Sequence, residues 1–182
     1  MKSKPTRHDK SSDENSAVID DILGKLFAQA KARDMWQNPL LPPHLFMQAL
    51  LLGSAVLLLL FVWLKGTFAT DGMIESLRPE ILALLWVLAV SSLLHLLMIW
   101  GEVSLTHPTA HARLAIWEMV RGRYKSDFWV GIVLSILGGL VSWLAVFELT
   151  PSFGVGAAPM ALIGLMLYEN AYVQAGQSVP LA

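Results

Sequence analysis

Cysteine is missing altogether from the 182 residues. The chain therefore holds no disulfide, no thiolate zinc site and no iron–sulfur cluster of its own. Any redox metal would have to rest on histidine or on another subunit. Charge is scarce too: 15% of the residues are Asp, Glu, Lys or Arg, where a soluble globular domain carries about 25%. The first 43 residues are polar and lack the apolar core of a secretory signal, so the first span is expected to act as its own insertion signal. There is no phosphate-binding loop, no soluble-type repeat and no nucleophile motif of a Ser–His–Asp hydrolase. The basic residues are scattered beside apolar segments, which argues against nucleic acid as a partner.

What fills the chain instead is apolar sequence, 55% of residues with a mean hydropathy of +0.56. Four stretches carry no formal charge: Leu45 to Leu64, Ile81 to Gly101, Phe128 to Phe147 and Leu149 to Tyr168. A helix rises about 1.5 Å per residue, so ~20 residues match a ~30 Å hydrocarbon slab. Lipid offers no partner to a bare N–H or C=O, so only helices or closed barrels span it, and barrel strands alternate in a way these runs do not. The expectation is an all-α integral membrane protein with the lipid bilayer as its first partner. It would have four transmembrane helices in an antiparallel bundle, at about 45–64, 81–104, 127–148 and 154–172, and two cytoplasmic interfacial amphipathic helices. A polar tail over 1–43 would precede a transmembrane domain over 44–182.

Basic residues are retained on the cytoplasmic side. Seven of the 13 lie before His44, two between Lys65 and Glu80, and four between Thr106 and Ser126. With four spans, the tail, the middle loop and the C-terminus share one face, which holds 11 basic residues against two. Both termini are therefore placed in the cytoplasm.

Met1 to Asn15 is charged and hydroxyl-rich and should be disordered. From Ser16 to Arg33, Val18, Ile22, Leu26 and Ala30 recur every four residues behind Ser16 as N-cap, with Asp21 set to pair with Lys25. This predicts an amphipathic helix over 16–33, lying on the membrane or docking a partner subunit. Trp36 to His44 holds three prolines and reads as a breaker. Pro79 suits the first turn of the second span. A second interfacial helix, about 108–122, would start at Thr106 and Pro108, show an apolar stripe of Leu114, Trp117 and Val120, and close at Gly122. Gly131, Ser135 and Gly139, with Gly138 and Ser142 beside them, predict close helix packing. Pro159 interrupts the fourth span.

Ionisable groups inside spans cost about 2.5–3.5 kcal/mol or more when charged, and they mark candidate sites. Ser91, His95 and Glu102 share one face of the second span, with Met98 between them and His107 just beyond. Both side-chain types can give and take protons, so a His–Glu ladder leading to one surface suits a proton path. The alternative is a neutral His95 bonded to a neighbouring helix, with Glu102 merely interfacial. Glu169, after Tyr168 and before a run of amides, reads either as a second site or as a helix end meeting water. Glu148 and His44 read as interfacial side chains, and Gln48 as a lone amide. A bis-histidine haem needs two histidines facing each other at one depth. Only His95 is deep, while His44, His107 and His111 sit at the cytoplasmic edge. A haem between His44 and His107 is geometrically conceivable.

From Trp36 onward the chain resembles the NrfD/polysulfide-reductase membrane-subunit family. The carrying residues are WQNPLLPPHLFMQALLLGSA at the first span, MIWGEVSLTHPTAHARLAIWEMVRGRYKSDFWVGIVL around the middle loop, and the ending YENAYVQAGQSVPLA, within about 145 of the 182 residues. The resemblance implies a quinone-interacting anchor in the bacterial cytoplasmic membrane. It implies an iron–sulfur (ferredoxin-like) partner with four clusters, often a molybdopterin catalytic subunit, and no haem or metal in the membrane chain itself. Such proteins have eight core spans in two four-helix bundles, with the quinone pocket usually in the N-terminal bundle. This chain looks like the C-terminal bundle. A second membrane chain, a second copy, or a truncated reading frame would each account for the difference.

The first functional expectation is a non-catalytic subunit of a quinone-linked oxidoreductase. Glu102, with His95 above and His107 outside it, would relay protons. Tyr168 would contact a quinone carbonyl, and Glu169 is carried over as a further contact. The second is a purely structural assembly subunit without a quinone site. The third is a small b-type cytochrome.

Overall fold

The computed structural model describes residues 40–68, 77–105, 107, 109–147 and 154–179. The helix expected over 16–33, together with Trp36, Thr106, Pro108 and Glu148, lies outside them. Every described element is helical: α1 (Leu41–Phe68), α2 (Arg78–Ser104), α3 (Ala110–Val120), α4 (Lys125–Phe147) and α5 (Gly154–Ser178). Three of them are long and apolar enough to cross a membrane, namely α1 over Leu41–Leu64, α2 and α4. The protein is thus a multi-pass membrane protein, all-α among its described residues, where three helices, not four, meet the length and composition of a span. Although α5 runs for 25 residues, Tyr168, Glu169, Asn170, Gln174 and Gln177 load its second half with polar groups.

The described part of the expected breaker, Leu40 to His44, does not break the helix. Helix α1 begins at Leu41 and takes Pro42, Pro43 and His44 into its first turn. The first N–H groups of a helix have no intrahelical acceptor, so proline there forfeits nothing. The ladder starts directly behind, with His44 N donating to Leu40 O at 3.0 Å. Pro79 opens α2 in the same way. Pro159 does not interrupt α5, which runs through it. The lost backbone bond is offset by packing, because Ala157, Ala158 and Ala161 on that stretch are buried.

That packing brings the α4 and α5 backbones close together. A Cβ placed on Gly138 would lie 2.8 Å from Ala161 N, and one on Gly131 2.8 Å from Tyr168 N. From the other side, a Cβ on Gly164 would meet Ser135 N at 2.7 Å. Between lipid-embedded helices dispersion rather than apolar burial drives association, and small residues bring the backbones close enough to gain it. Gly139, on the flank of the same stripe, faces Ser92 of α2.

Helix α3 covers one end of the bundle. Its N-cap is Thr109, whose Oγ1 accepts from Ala112 N at 3.2 Å, rather than Thr106. Its inward face is Ala112, Ala115, Ile116 and Met119. Of the expected stripe, Leu114 and Trp117 point away from the bundle, 42% and 51% exposed, while Val120 packs against the core. The turn into α4 is held by Arg121 N and Gly122 N, both donating to Trp117 O, and by Arg123 N donating to the Glu118 carboxylate. The two ends of the interior differ. Away from α3 the core is aliphatic, built on Leu51, Leu85, Leu88, Ala145 and Ala161. At the α3 end it is aromatic, with Phe128, Tyr168 and Tyr172 against Ile116 and Met119.

Candidate functional site

A cluster of polar side chains occupies the α3 end, where α1 begins and α2 and α5 finish. Glu102 is its centre and is 3% exposed. Its position one turn before the end of α2 puts the carboxylate between α1 and α5. The Tyr168 hydroxyl donates to Glu102 Oε2 at 3.0 Å, and Tyr172, one turn further along α5, is also hydrogen-bonded to Glu102. A buried carboxyl is tolerable only when its oxygens are partnered, and two phenols supply that here.

His44 is the residue that connects this acid to the interior. Its Nδ1 stands 3.7 Å from Glu102 Oε2, and its Nε2 stands 2.8 Å from His95 Nδ1. The sequence placed His44 at the interface. The structure buries it at 3% exposure beside a fully buried His95. His95 therefore has a mate at its own depth, but the two rings are hydrogen-bonded to each other and not set on opposite faces of a haem-sized gap. One imidazole must donate and the other accept, so a single proton is held between them. Tyr168 closes the aromatic side, its ring centroid 5.3 Å from His95 and 5.6 Å from His44.

His107 also reaches Glu102, though not its carboxylate. Its Nε2 donates to the Glu102 backbone oxygen at 2.8 Å, in the last turn of α2, where carbonyls lack an intrahelical donor. Of the expected relay, His95 and Glu102 are thus brought together through His44, and His107 joins by a backbone contact.

Beside this chain runs a second polar pair. The Gln48 side-chain amide donates to Glu169 Oε1 across the α1–α5 seam. Gln48 is one turn on from His44, so both project into the same seam. Glu169 lies well inside α5 and is not a helix end meeting water. Between them opens a cleft of about 190 Å³, lined by His44, Gln48, Tyr168, Glu169 and Tyr172 and rimmed by Leu45 and Val173. Leu45 and Val173 are both exposed apolar residues, so the mouth gives onto the lipid-facing surface. Drug-sized ligand pockets start near 300 Å³, so this cleft is small. A larger, shallow groove of about 420 Å³ between α1 and α2 presents Met47, Leu50, Trp86 and Val90 with only Ser91 as a polar neighbour. It has nothing to orient a polar group. Among the described residues no three His, Asp or Glu side chains are placed to hold a metal ion.

Sequence reasoning missed His44, Gln48 and Tyr172. The signals were the spacings His44–Gln48 and Tyr168–Tyr172, each i,i+4 and so each on one helical face.

The family model described as "Polysulphide reductase, NrfD" matches residues 16–180. No curated protein and no solved structure matches the chain.

Proposed function

Because the chain belongs to the NrfD polysulphide reductase family, we propose that it serves as a membrane subunit of a quinone-linked oxidoreductase, with the α1–α5 cleft as its quinone site. It would sit beside an iron–sulfur subunit in a bacterial cytoplasmic membrane, with α5 as a fourth span and the α3 end facing the cytoplasm. The excess of basic residues on the segments at that end supports this orientation. The full length of α5 against the small-residue stripe of α4 supports a fourth span.

The observation that carries the reading is the join between cleft and relay. His44 lines the cleft and is also the link between Glu102 and His95. A quinol, when bound, supplies two electrons and two protons. The donor set fits such a ring: the second N–H of the Gln48 amide can donate to a carbonyl oxygen at its edge, and the Glu169 carboxylate can accept from a hydroxyl. Apolar Leu45 and Val173 exclude water and leave the mouth open for an isoprenoid tail in lipid. His44 takes or returns a proton on the cleft side. Glu102, held by Tyr168 and Tyr172, passes it toward the α3 end, where the described chain reaches solvent near His107. The redox chemistry belongs to the bound ring and the partner; this chain binds, orients and moves protons.

The test is Glu102→Gln in the assembled complex. The variant preserves shape and hydrogen bonding but cannot exchange a proton. Loss of a positioned acid–base group typically costs about 10²–10⁴-fold in rate, so quinone-linked turnover should fall by at least about 10²-fold while assembly is kept. Unchanged turnover would remove Glu102 from the mechanism and favour a purely structural subunit.

A further inference from the structure

Three buried polar atoms in the middle of the bundle have no hydrogen-bond partner among the described residues: Ser92 Oγ, His95 Nε2 and Ser135 Oγ. None of the three residues is more than 1% exposed. Buried polar groups are almost always paired, with protein or with ordered water. Serines in membrane helices commonly bond back to a carbonyl of the preceding turn. Ser142 does so with Gly138 O at 2.8 Å and Ser54 with Leu51 O at 3.1 Å. Ser92 and Ser135 do not.

Their positions converge. Ser92 precedes His95 by three residues on α2, on the same face and one turn deeper. Helix α4 passes Tyr168 at Gly131, where a Cβ would lie 2.8 Å from Tyr168 N, and passes Ser92 at Gly139, where a Cβ would lie 3.3 Å from Ser92 Cβ. Ser135 stands between those two glycines, one turn from each. His95 stands between the same two neighbours, edge-on to the Tyr168 ring and one turn from Ser92. Ser135 and the His95 imidazole therefore stand at one level, with Ser92 about one turn deeper below the free nitrogen.

We infer that Ser92 Oγ, His95 Nε2 and Ser135 Oγ form a binding site for a single water molecule at the inner end of the His44–His95 pair. Three partners are the usual number for a buried water. The hydroxyls can each donate or accept, so the water serves either tautomer of His95. This gives the pair a terminus. When a proton passes between His44 and His95 Nδ1, the water turns to accept from or donate to Nε2, so the ring stays paired in each protonation state. Beyond the serines the interior is aliphatic, with Leu51, Leu85, Leu88 and Ala161, so the polar path stops at mid-bundle. This role rests on the relay reading above, whereas the water itself rests on burial and placement.

The test uses the full chain, labelled with ¹⁵N-histidine and reconstituted in phospholipid vesicles. Water-edited magic-angle-spinning NMR reads magnetisation passed from water to each imidazole nitrogen. His95→Gln identifies the His95 signal by its loss. We expect water transfer to His95 Nε2 despite its complete burial, and loss of that transfer in the Ser92→Ala/Ser135→Ala double variant. No transfer in the unsubstituted chain overturns the site. Transfer that persists in the double variant overturns its assignment to these serines. The relay fails separately: turnover that survives Glu102→Gln removes the relay while a positive water signal leaves the site standing.

Discussion

Tyr168 shows how much one side chain carries in this bundle. Its backbone nitrogen abuts Gly131, its ring touches both histidines, and its hydroxyl donates to Glu102. Tyr168→Phe keeps the ring and deletes only that hydroxyl. A hydrogen bond to a charged or charge-sharing group is worth about 1.5–3 kcal/mol, so the variant should unfold that much more readily in a denaturant titration in detergent. An unchanged midpoint would mean that Tyr172 alone satisfies the acid. Glu102 and His95 were legible in the sequence because ionisable groups are so rare within its apolar runs. His44 and Gln48 were not. Three prolines masked the start of α1 as a breaker, and no local pattern shows that Gln48 meets a carboxylate 121 positions away. Cross-helix partners are set by packing, which residue spacing along one helix does not encode.

At the scale of elements, the α4–α5 seam organises the site. Gly131 and Gly164 let Tyr168 approach α4, and that approach aims its hydroxyl at Glu102. Gly164→Val would drive a branched side chain into Ser135, whose nitrogen already lies 2.7 Å from a Cβ at that position. Overpacking of this kind costs about 1–3 kcal/mol, and backbone atoms cannot give way as a flexible side chain does. The expected result is a lower unfolding midpoint together with lost turnover, because the tyrosine moves with its helix. Gly53 has nothing within 4 Å of a Cβ, so Gly53→Ala should leave both unchanged. A seam that tolerates Gly164→Val would contradict the packing described. The α4 stripe was plain in the sequence, since glycine and serine at i and i+4 have few other uses in a membrane helix. Its complement on α5 was hidden by the expectation that Pro159 breaks the helix. Packing decided that case over local propensity. Helix α3 buries Ala112, Ala115, Ile116 and Met119 and turns Leu114 and Trp117 outward; spacing along one helix does not say which of its apolar residues meet the bundle.

Over the whole molecule, polarity is divided along the bundle axis. One half is sealed by aliphatic side chains, and the other gathers an acid, two histidines, two tyrosines and an amide–carboxylate pair. Exposed tryptophans ring both ends, Trp63 and Trp86 at one and Trp100, Trp117 and Trp129 at the other, as aromatic side chains do at the two faces of a bilayer. Among the described residues, the polar cleft at that end opens beside the exposed apolar side chains Leu45 and Val173. The most direct measurement of this account is photolabelling of the complex, purified from native membranes, with an azido-quinone, followed by mapping of the labelled peptide. Label is predicted on α1 near His44 to Gln48 and on α5 near Tyr168 to Val173, and excess natural quinone should displace it. Label confined to other subunits, or spread over the apolar faces without displacement, would contradict a quinone site in this chain.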